Sequence, residues 1–326
     1  MSEYKIIFTD YYYPNNNQEI EILKGLGDVK IVDCTKIFTG GVKNEDDVIK
    51  YTEDADAIIC QFANISKKVI QNLKKCRIIS RYAIGVDNID VEEAKKKGIV
   101  VSNVPDYCIE EVSDSAIAHI LNCVRKISLA NGLFRDGKWN YEKIKPINRF
   151  SDQTLGLIAF GNIARRVAEK LRPFNLKILS YDPYFKDKDN KYDWVDFVSL
   201  EELLKNSDII SIHAPSNKTT YHLINKSKVD LMKNNVIIVN TSRGGVIDEK
   251  ALEEGLKNNK ISMVGLDVLE YPENEYGHSV LGKYPERVVI TPHYSWYSEK
   301  SIEDLQVKTA KNVFEMLKNG KPLYSV

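Results

Sequence analysis

Short apolar runs alternate with amphipathic stretches along almost the whole chain, and this alternation decides the class of fold. Strand-like runs fall at residues 5–9, 29–32, 57–60, 78–80 and 100–102. They recur at 154–160, 177–181, 209–213, 236–241, 263–268 and 288–290. Helix-like segments lie between them, for example 66–74, 91–97 and 249–259. Runs that are apolar on both faces and separated by helices predict parallel sheets covered on both sides. Local signals mark some helix starts. Ser199 followed by Glu202 reads as a capping box, and Asp248 stands at the start of 249–259 as an N-cap. A longer helix is expected over 110–131, and a final one over 299–317 with Ile302, Leu305, Val313 and Leu317 at helical spacing.

At 326 residues the chain exceeds what one hydrophobic core usually serves, so two domains are expected. No linker rich in Gly, Ser or Pro separates two halves, which suggests that the domains share crossover segments. Lys+Arg and Asp+Glu both number 46, so there is no bulk charge to attract nucleic acid or an anionic membrane. No apolar run is long enough to span a bilayer. The first residues run almost directly into a strand, so a secretory leader is not expected. Cys34, Cys60, Cys76, Cys108 and Cys123 are odd in number and widely spread, with no Cys-x-x-Cys pair. That pattern speaks for a reducing cytoplasm, without a disulfide framework or a structural metal.

The most informative segment is Thr154-Leu-Gly-Leu-Ile-Ala-Phe-Gly-Asn-Ile-Ala164. It reads as a strand, a turn and a helix start, where the pyrophosphate of a dinucleotide sits against helix amides. The G-x-G-x-x-G fingerprint appears as Ala159-x-Gly161-x-x-Ala164. Gly161 keeps the position where a missing side chain lets the backbone approach the pyrophosphate, with Asn162 and Ile163 following it. Ala159 departs from the glycine of the tight turn. Asp182 lies 21 residues past Gly161, at the end of the next strand. A carboxylate there accepts hydrogen bonds from an adenosine ribose and repels a 2′-phosphate. The expected cofactor is therefore NAD rather than NADP.

Three later strands end in polar groups: Arg243 in Val239-Asn-Thr-Ser-Arg-Gly-Gly245, Asp267, Glu270 and Glu273 in the segment 265–273, and His293 in Ile290-Thr-Pro-His293. Parallel sheets bind ligands beyond the carboxyl ends of their strands. A cation, a carboxylate and a proton donor would meet there.

These segments resemble the D-isomer-specific 2-hydroxyacid dehydrogenases. The resemblance is carried by Arg81-Tyr-Ala-Ile-Gly-Val-Asp-Asn-Ile-Asp90, Asn103-Val-Pro105, His213-Ala-Pro215, Asn240-Thr-Ser-Arg-Gly-Gly245 and Thr291-Pro-His293. Two further segments, Asn103-Val-Pro-Asp-Tyr-Cys-Ile-Glu-Glu111 and His293-Tyr-Ser-Trp-Tyr-Ser298, resemble the branch near the C-terminal-binding proteins, some of which act as NADH-binding corepressors. The resemblance implies two Rossmann-like, doubly wound parallel-sheet domains. A cofactor domain over 102–294 would be inserted into a discontinuous, flavodoxin-like substrate domain made of 1–101 and 295–326. It also implies a cleft for the substrate and a homodimer formed through the cofactor domain. By the same resemblance His213, Ala214, Pro215, Thr241, Ser242 and Asp267 belong to the cofactor site. Ala83, Ile84 and Gly85 form the loop whose amides bind the substrate carboxylate, and Trp296 lines the substrate side.

The chemistry follows from the residue types. Reduction of a 2-keto acid places negative charge on the keto oxygen, so a fixed cation and a proton donor are needed. The planar fork of Arg243 suits the carboxylate and keto oxygens. His293 as imidazolium delivers the proton, and a neighbouring carboxylate orients the ring and favours its charged form. The family places that carboxylate five residues after the aspartate matching Asp267, which here is Pro272. With one residue inserted Glu273 takes the role, and Glu270 is the alternative. The expected activity is NAD-dependent interconversion of a small 2-keto acid and its D-2-hydroxy acid. Two other readings stand beside it: an NADH-responsive binding module without catalysis, and a phosphorylated substrate such as 3-phosphoglycerate.

Overall fold

The computed structural model of the chain describes residues 3–271 and 273–326, without the side chains of Glu273 and Asn274. The chain divides into two compact units, Met1–Cys108 with Ser298–Val326, and Ile109–Tyr297. The junctions therefore lie somewhat later in the sequence than 101/102 and 294/295.

The first unit begins with β1 (Tyr4–Phe8), α1 (Asn17–Lys24), β2 (Val29–Asp33), α2 (Glu45–Thr52), β3 (Ala57–Cys60), α3 (Lys67–Asn72), β4 (Ile78–Arg81), α4 (Val91–Lys96) and β5 (Val100–Ser102). Its five strands run in the order β2-β1-β3-β4-β5, all parallel. The order reverses between β1 and β3, the flavodoxin-like arrangement. One face of the sheet packs Ile7, Ile58, Cys60 and Ile79 against Val48, Val69, Ile70 and Ala94 from the helices.

The second unit carries α5 (Ile109–Arg125), α6 (Ile127–Arg135), β6 (Thr154–Ile158), α7 (Asn162–Leu171), β7 (Lys177–Tyr181), β8 (Asp196–Phe197), α8 (Leu200–Asn206) and β9 (Ile209–Ile212). It continues with α9 (Lys226–Leu231), β10 (Val236–Asn240), α10 (Glu249–Lys257), β11 (Ile261–Leu266) and β12 (Val288–Ile290). Its seven parallel strands run β12-β11-β10-β9-β6-β7-β8. Separate apolar cores lie on the two faces, as a doubly wound sheet requires. The strand order reverses between β6 and β9, which sets the ligand crevice beyond their carboxyl ends.

The last helix, α11 (Glu299–Asn319), belongs to the first unit. It buries Leu305, Ala310, Val313 and Leu317. Polar ties fix its register: Ser80 Oγ donates to Thr309 O over 3.1 Å, and Asn312 Nδ2 to Asn103 O over 3.0 Å.

Two local expectations need correction. The helix expected over 110–131 is two helices, because Lys126 adopts a left-handed backbone with φ 53°. The side chain of Asn122 then accepts from the Ser128 amide over 2.9 Å and satisfies the new helix start. At Ser199 the cap is present but reads in one direction, the Glu202 amide donating to Ser199 Oγ over 3.2 Å. A reciprocal capping box occurs instead at Ser298 and Ser301. The expected cap at Asp248 forms, through the Lys250 amide at 3.0 Å.

Candidate active site

The nucleotide loop lies at the reversal of the seven-stranded sheet. Ala159 leaves β6 with φ 68°, the left-handed conformation that glycine adopts without strain. The tight turn is thus made by an alanine, held by its amide on Tyr181 O at 2.8 Å. Gly161 is the N-cap of α7 and offers no side-chain cap. A Cβ there would meet no protein atom within 4 Å, so the face before the helix amides is open. Asn162 and Ile163 form the first turn of α7. An open, uncapped start of a ten-residue helix suits a pyrophosphate.

Asp182 sits at the end of β7 and is partly buried. Its Oδ2 accepts the Phe160 amide at 2.8 Å, and its Oδ1 accepts the amides of Tyr184 at 2.8 Å and Phe185 at 3.1 Å. The carboxylate thereby ties the nucleotide loop to the turn after β7. Of its roughly four acceptor positions three are used, which leaves one toward a ribose hydroxyl.

His213, Ala214 and Pro215 follow β9, across the crevice from the loop. His213 Nε2 lies 3.0 Å from Ser211 Oγ. Loss of hydration pushes its pKa down to about 4, so the ring is neutral at physiological pH. Beyond β10, Ser242 is fixed by Asn240, whose Oδ1 accepts the Ser242 amide at 2.9 Å and hydroxyl at 2.7 Å. Thr241 is buried at 8% exposure, and its hydroxyl has no hydrogen-bond partner. Such a hydroxyl is available to a partner from outside the protein. The open helix start, the ribose-side carboxylate and this hydroxyl together fit NAD.

The ends of β10, β11 and β12 lie side by side and carry the polar groups. Arg243 follows β10 in extended conformation, with Nη1 donating to Ser242 O at 2.8 Å and its own carbonyl accepting from Asn240 Nδ2 at 2.9 Å. Gly244 could be no other residue, since a Cβ would lie 1.7 Å from Leu269 O. The glycine lets the segment after β10 press against the segment after β11.

Asp267, 2% exposed, organises the loop that holds His293. Its Oδ1 accepts Thr291 Oγ1 at 2.6 Å and the Tyr294 amide at 3.1 Å; its Oδ2 accepts the Ser295 amide at 3.0 Å. It therefore has a structural task of its own beside the cofactor contact expected of it. His119, a buried residue of α5, extends the network with Nε2 at 3.0 Å from Thr291 Oγ1. Burial lowers its pKa, so it acts as a neutral strut. His293 itself is exposed, with φ 50°. Its amide donates to Asp267 O and Thr291 O, both at 3.0 Å, and its carbonyl accepts Trp296 Nε1 at 3.0 Å. Trp296 thus braces the histidine loop.

Glu270 is committed elsewhere. Its Oε1 is 2.5 Å from His222 Nε2, and its Oε2 accepts the Glu249 amide at 3.3 Å. Glu249, also buried, accepts the Glu270 amide in return at 2.9 Å. Glu273 opens a short 3-10 turn, Glu273–His278, and its side chain lies outside the described residues. Among the described residues one trio, His222, Asp248 and Glu270, brings metal-ligand atoms within 4.8 Å of one another. The His222–Glu270 hydrogen bond and the helix cap made by Asp248 account for that proximity.

In the first unit the Ala83–Gly85 loop follows β4. All three of its carbonyls are engaged: Ala83 O by the Val104 amide at 2.9 Å, Ile84 O by Asn103 Nδ2 at 2.7 Å, and Gly85 O by Arg81 Nη1 at 2.6 Å. Among the described residues the amides of Ile84 and Gly85 have no acceptor. The loop presents amide donors with its acceptors already spent.

A family model for the D-isomer specific 2-hydroxyacid dehydrogenase NAD binding domain matches residues 117–295. The chain is 37% identical to a hydroxypyruvate reductase of Thermotoga maritima, over 84% of this chain and 88% of that protein. It is 35% identical to a glyoxylate reductase of Thermococcus litoralis, over 84% of each. Among solved structures, a D-lactate dehydrogenase of Aquifex aeolicus complexed with NAD and lactic acid superposes with a TM-score of 0.81 at 29% identity, covering 98% of both chains. With the nucleotide crevice and the three polar strand ends, these matches show that the chain belongs to the D-isomer-specific 2-hydroxyacid dehydrogenase family and is an NAD-dependent oxidoreductase.

Proposed function

We propose that the protein reduces a 2-keto acid to its D-2-hydroxy acid, or runs the reverse reaction, with Arg243, His293 and Glu273 as its working residues. The observation that carries this reading is the alignment of β10, β11 and β12, whose neighbouring ends bear Arg243, the Asp267 network and His293 in the unit that binds the dinucleotide. NADH, when bound, supplies the hydride for the keto carbon. The Ile84 and Gly85 amides take the substrate carboxylate. Arg243 holds the carboxylate and keto oxygens with its planar fork. His293 donates a proton to the keto oxygen as charge develops there, and takes it back in the oxidation. Asp267 fixes the loop from which the imidazole projects. With Glu270 held by His222 and Glu249, Glu273 is the carboxylate assigned to the His293 ring.

A pure binding module has no need of this set, which favours the enzyme. Within the family we place the chain beside the C-terminal-binding proteins on the strength of segments 103–111 and 293–298. We also propose a homodimer. No residue of α6 is buried, and the segment around it exposes Ile127, Phe134, Tyr141 and Trp139, the last at 90%. No helix among the described residues is long and apolar enough to cross a membrane, and all five cysteines are free and buried. Both facts support the proposed cytoplasmic location.

Steady-state kinetics test the assignment. His293→Gln should lower kcat for reduction by about 10²–10⁴-fold while NADH still binds. Arg243→Lys should raise KM and lower kcat together, because an ammonium cannot engage two oxygens in one plane. Unchanged kcat in both variants would reject these roles.

A further inference from the structure

A face of α5 holds the loop of His293, and the proposed reaction gives that face no task. His293 takes a left-handed backbone, φ 50°. Such a conformation persists where its surroundings over-determine it. Ser115 and His119 stand one turn apart on α5 and so share a face. Ser115 Oγ donates to Ser295 O over 3.4 Å, and His119 Nε2 lies 3.0 Å from Thr291 Oγ1. Their partners flank His293 on both sides along the chain.

The direction of the His119 hydrogen bond is fixed by its partner. Thr291 Oγ1 donates its one proton to Asp267 Oδ1 over 2.6 Å, so toward His119 it can only accept. The neutral ring therefore carries its proton on Nε2 and leaves Nδ1 bare. The residue is 6% exposed, and a Cβ at Gly265 would come within 3.0 Å of Nδ1. The ring is thus backed by the main chain of β11 rather than by a movable side chain. Donation runs in one sense, from His119 Nε2 through Thr291 Oγ1 to the Asp267 carboxylate. That carboxylate also takes the Tyr294 and Ser295 amides at 3.1 and 3.0 Å. Hydrogen bonds chained in this way polarise and strengthen one another.

We infer that His119 is a positioning residue for the reduction: as the Nε2–H tautomer it locks Thr291, and through Thr291 and Asp267 it sets where the His293 imidazole stands. This rests on the proposal that His293 gives its proton to the keto oxygen. Proton transfer needs the ring within hydrogen-bond reach of that oxygen, and a misplacement of about 1 Å costs about 10²-fold in rate. Loss of the His119 contact leaves the groups assigned to the substrate carboxylate and the dinucleotide in place. It therefore lowers kcat and spares KM.

The test uses whichever of glyoxylate, hydroxypyruvate, pyruvate and phenylpyruvate wild type reduces fastest with NADH. It compares wild type with His119→Leu, His119→Gln, Thr291→Val and Thr291→Ser. The leucine and valine variants should lose about 10- to 100-fold in kcat, with KM and NADH affinity retained. Glutamine, whose amide nitrogen replaces the ring Nε2, and serine, which keeps the hydroxyl, should recover most of that loss. A thermal melt checks folding, and Thr291→Val decides if His119→Leu does not fold. An unchanged kcat in the folded nonpolar variants, or an equal loss in the conservative ones, would overturn the inference. If wild type reduces none of the four acids, the proposed reaction fails by itself. Amide hydrogen exchange of residues 293–295 then decides the positioning: faster exchange in the leucine and valine variants supports it, and unmoved exchange overturns it.

Discussion

Ala159 shows how much one residue carries in this molecule. The nucleotide turn needs a left-handed residue, and the chain supplies it with alanine at φ 68°. Glycine there relieves a strain of roughly 1–2 kcal/mol and costs part of that back in unfolded-chain entropy. Ala159→Gly should therefore leave stability unchanged or raise it by up to about 1 kcal/mol, measured by urea unfolding, with NADH affinity retained. A loss of stability would show that the alanine methyl is needed for packing. The proposed role of Glu273 comes from the family resemblance with one residue inserted, and Glu270 is held by His222 and Glu249. Glu273→Gln should lower kcat for reduction while NADH still binds, and an unchanged kcat would remove Glu273 from the proposed mechanism. At this scale the sequence was legible where a motif fixes a residue type, as at Gly161 and Arg243. It was not legible at Asp267, whose buried carboxylate binds the His293 loop through partners 24 to 28 residues away. Nor did it show that Glu270 belongs to His222, a pairing 48 residues apart made by tertiary packing.

Strands were easier to read than helices. Eleven apolar runs in the sequence correspond to strands, because parallel strands buried on both faces leave no choice but continuous hydrophobicity. The exception, β8, has two exposed edge residues and so no apolar signature. Amphipathic periodicity could not reveal the break between α5 and α6, since the left-handed Lys126 leaves the pattern on either side intact. The break has a consequence. It turns α6 away from any core, with none of its residues buried and Phe134 edge-on to the exposed Trp139 at 6.0 Å. A second copy of the chain is the proposed cover. Trp139→Glu should shift sedimentation from dimer to monomer by placing a charge in that apolar interface. A wild-type protein that sediments as a monomer would refute the dimer, and a variant that stays dimeric would move the interface elsewhere.

The whole molecule joins two parallel sheets whose ligand-bearing ends carry different chemistry. One offers backbone amides in the loop after β4. The other offers a dinucleotide crevice, a guanidinium and an imidazole. The balanced net charge of the chain leaves the working charges local to these strand ends, which suits a small monoanionic substrate rather than a polymer. The discontinuous first unit was beyond composition and periodicity, because α11 returns to the sheet that β1–β5 build across the intervening second unit. Hydride transfer to a 2-keto acid is measured as loss of NADH absorbance with glyoxylate, hydroxypyruvate, pyruvate and phenylpyruvate, followed by chiral analysis of the pyruvate and phenylpyruvate products. Turnover of at least one of these acids and the D-isomer from any chiral product are expected. Tight NADH binding with no turnover of any of them, or an L-product, would contradict the proposed function.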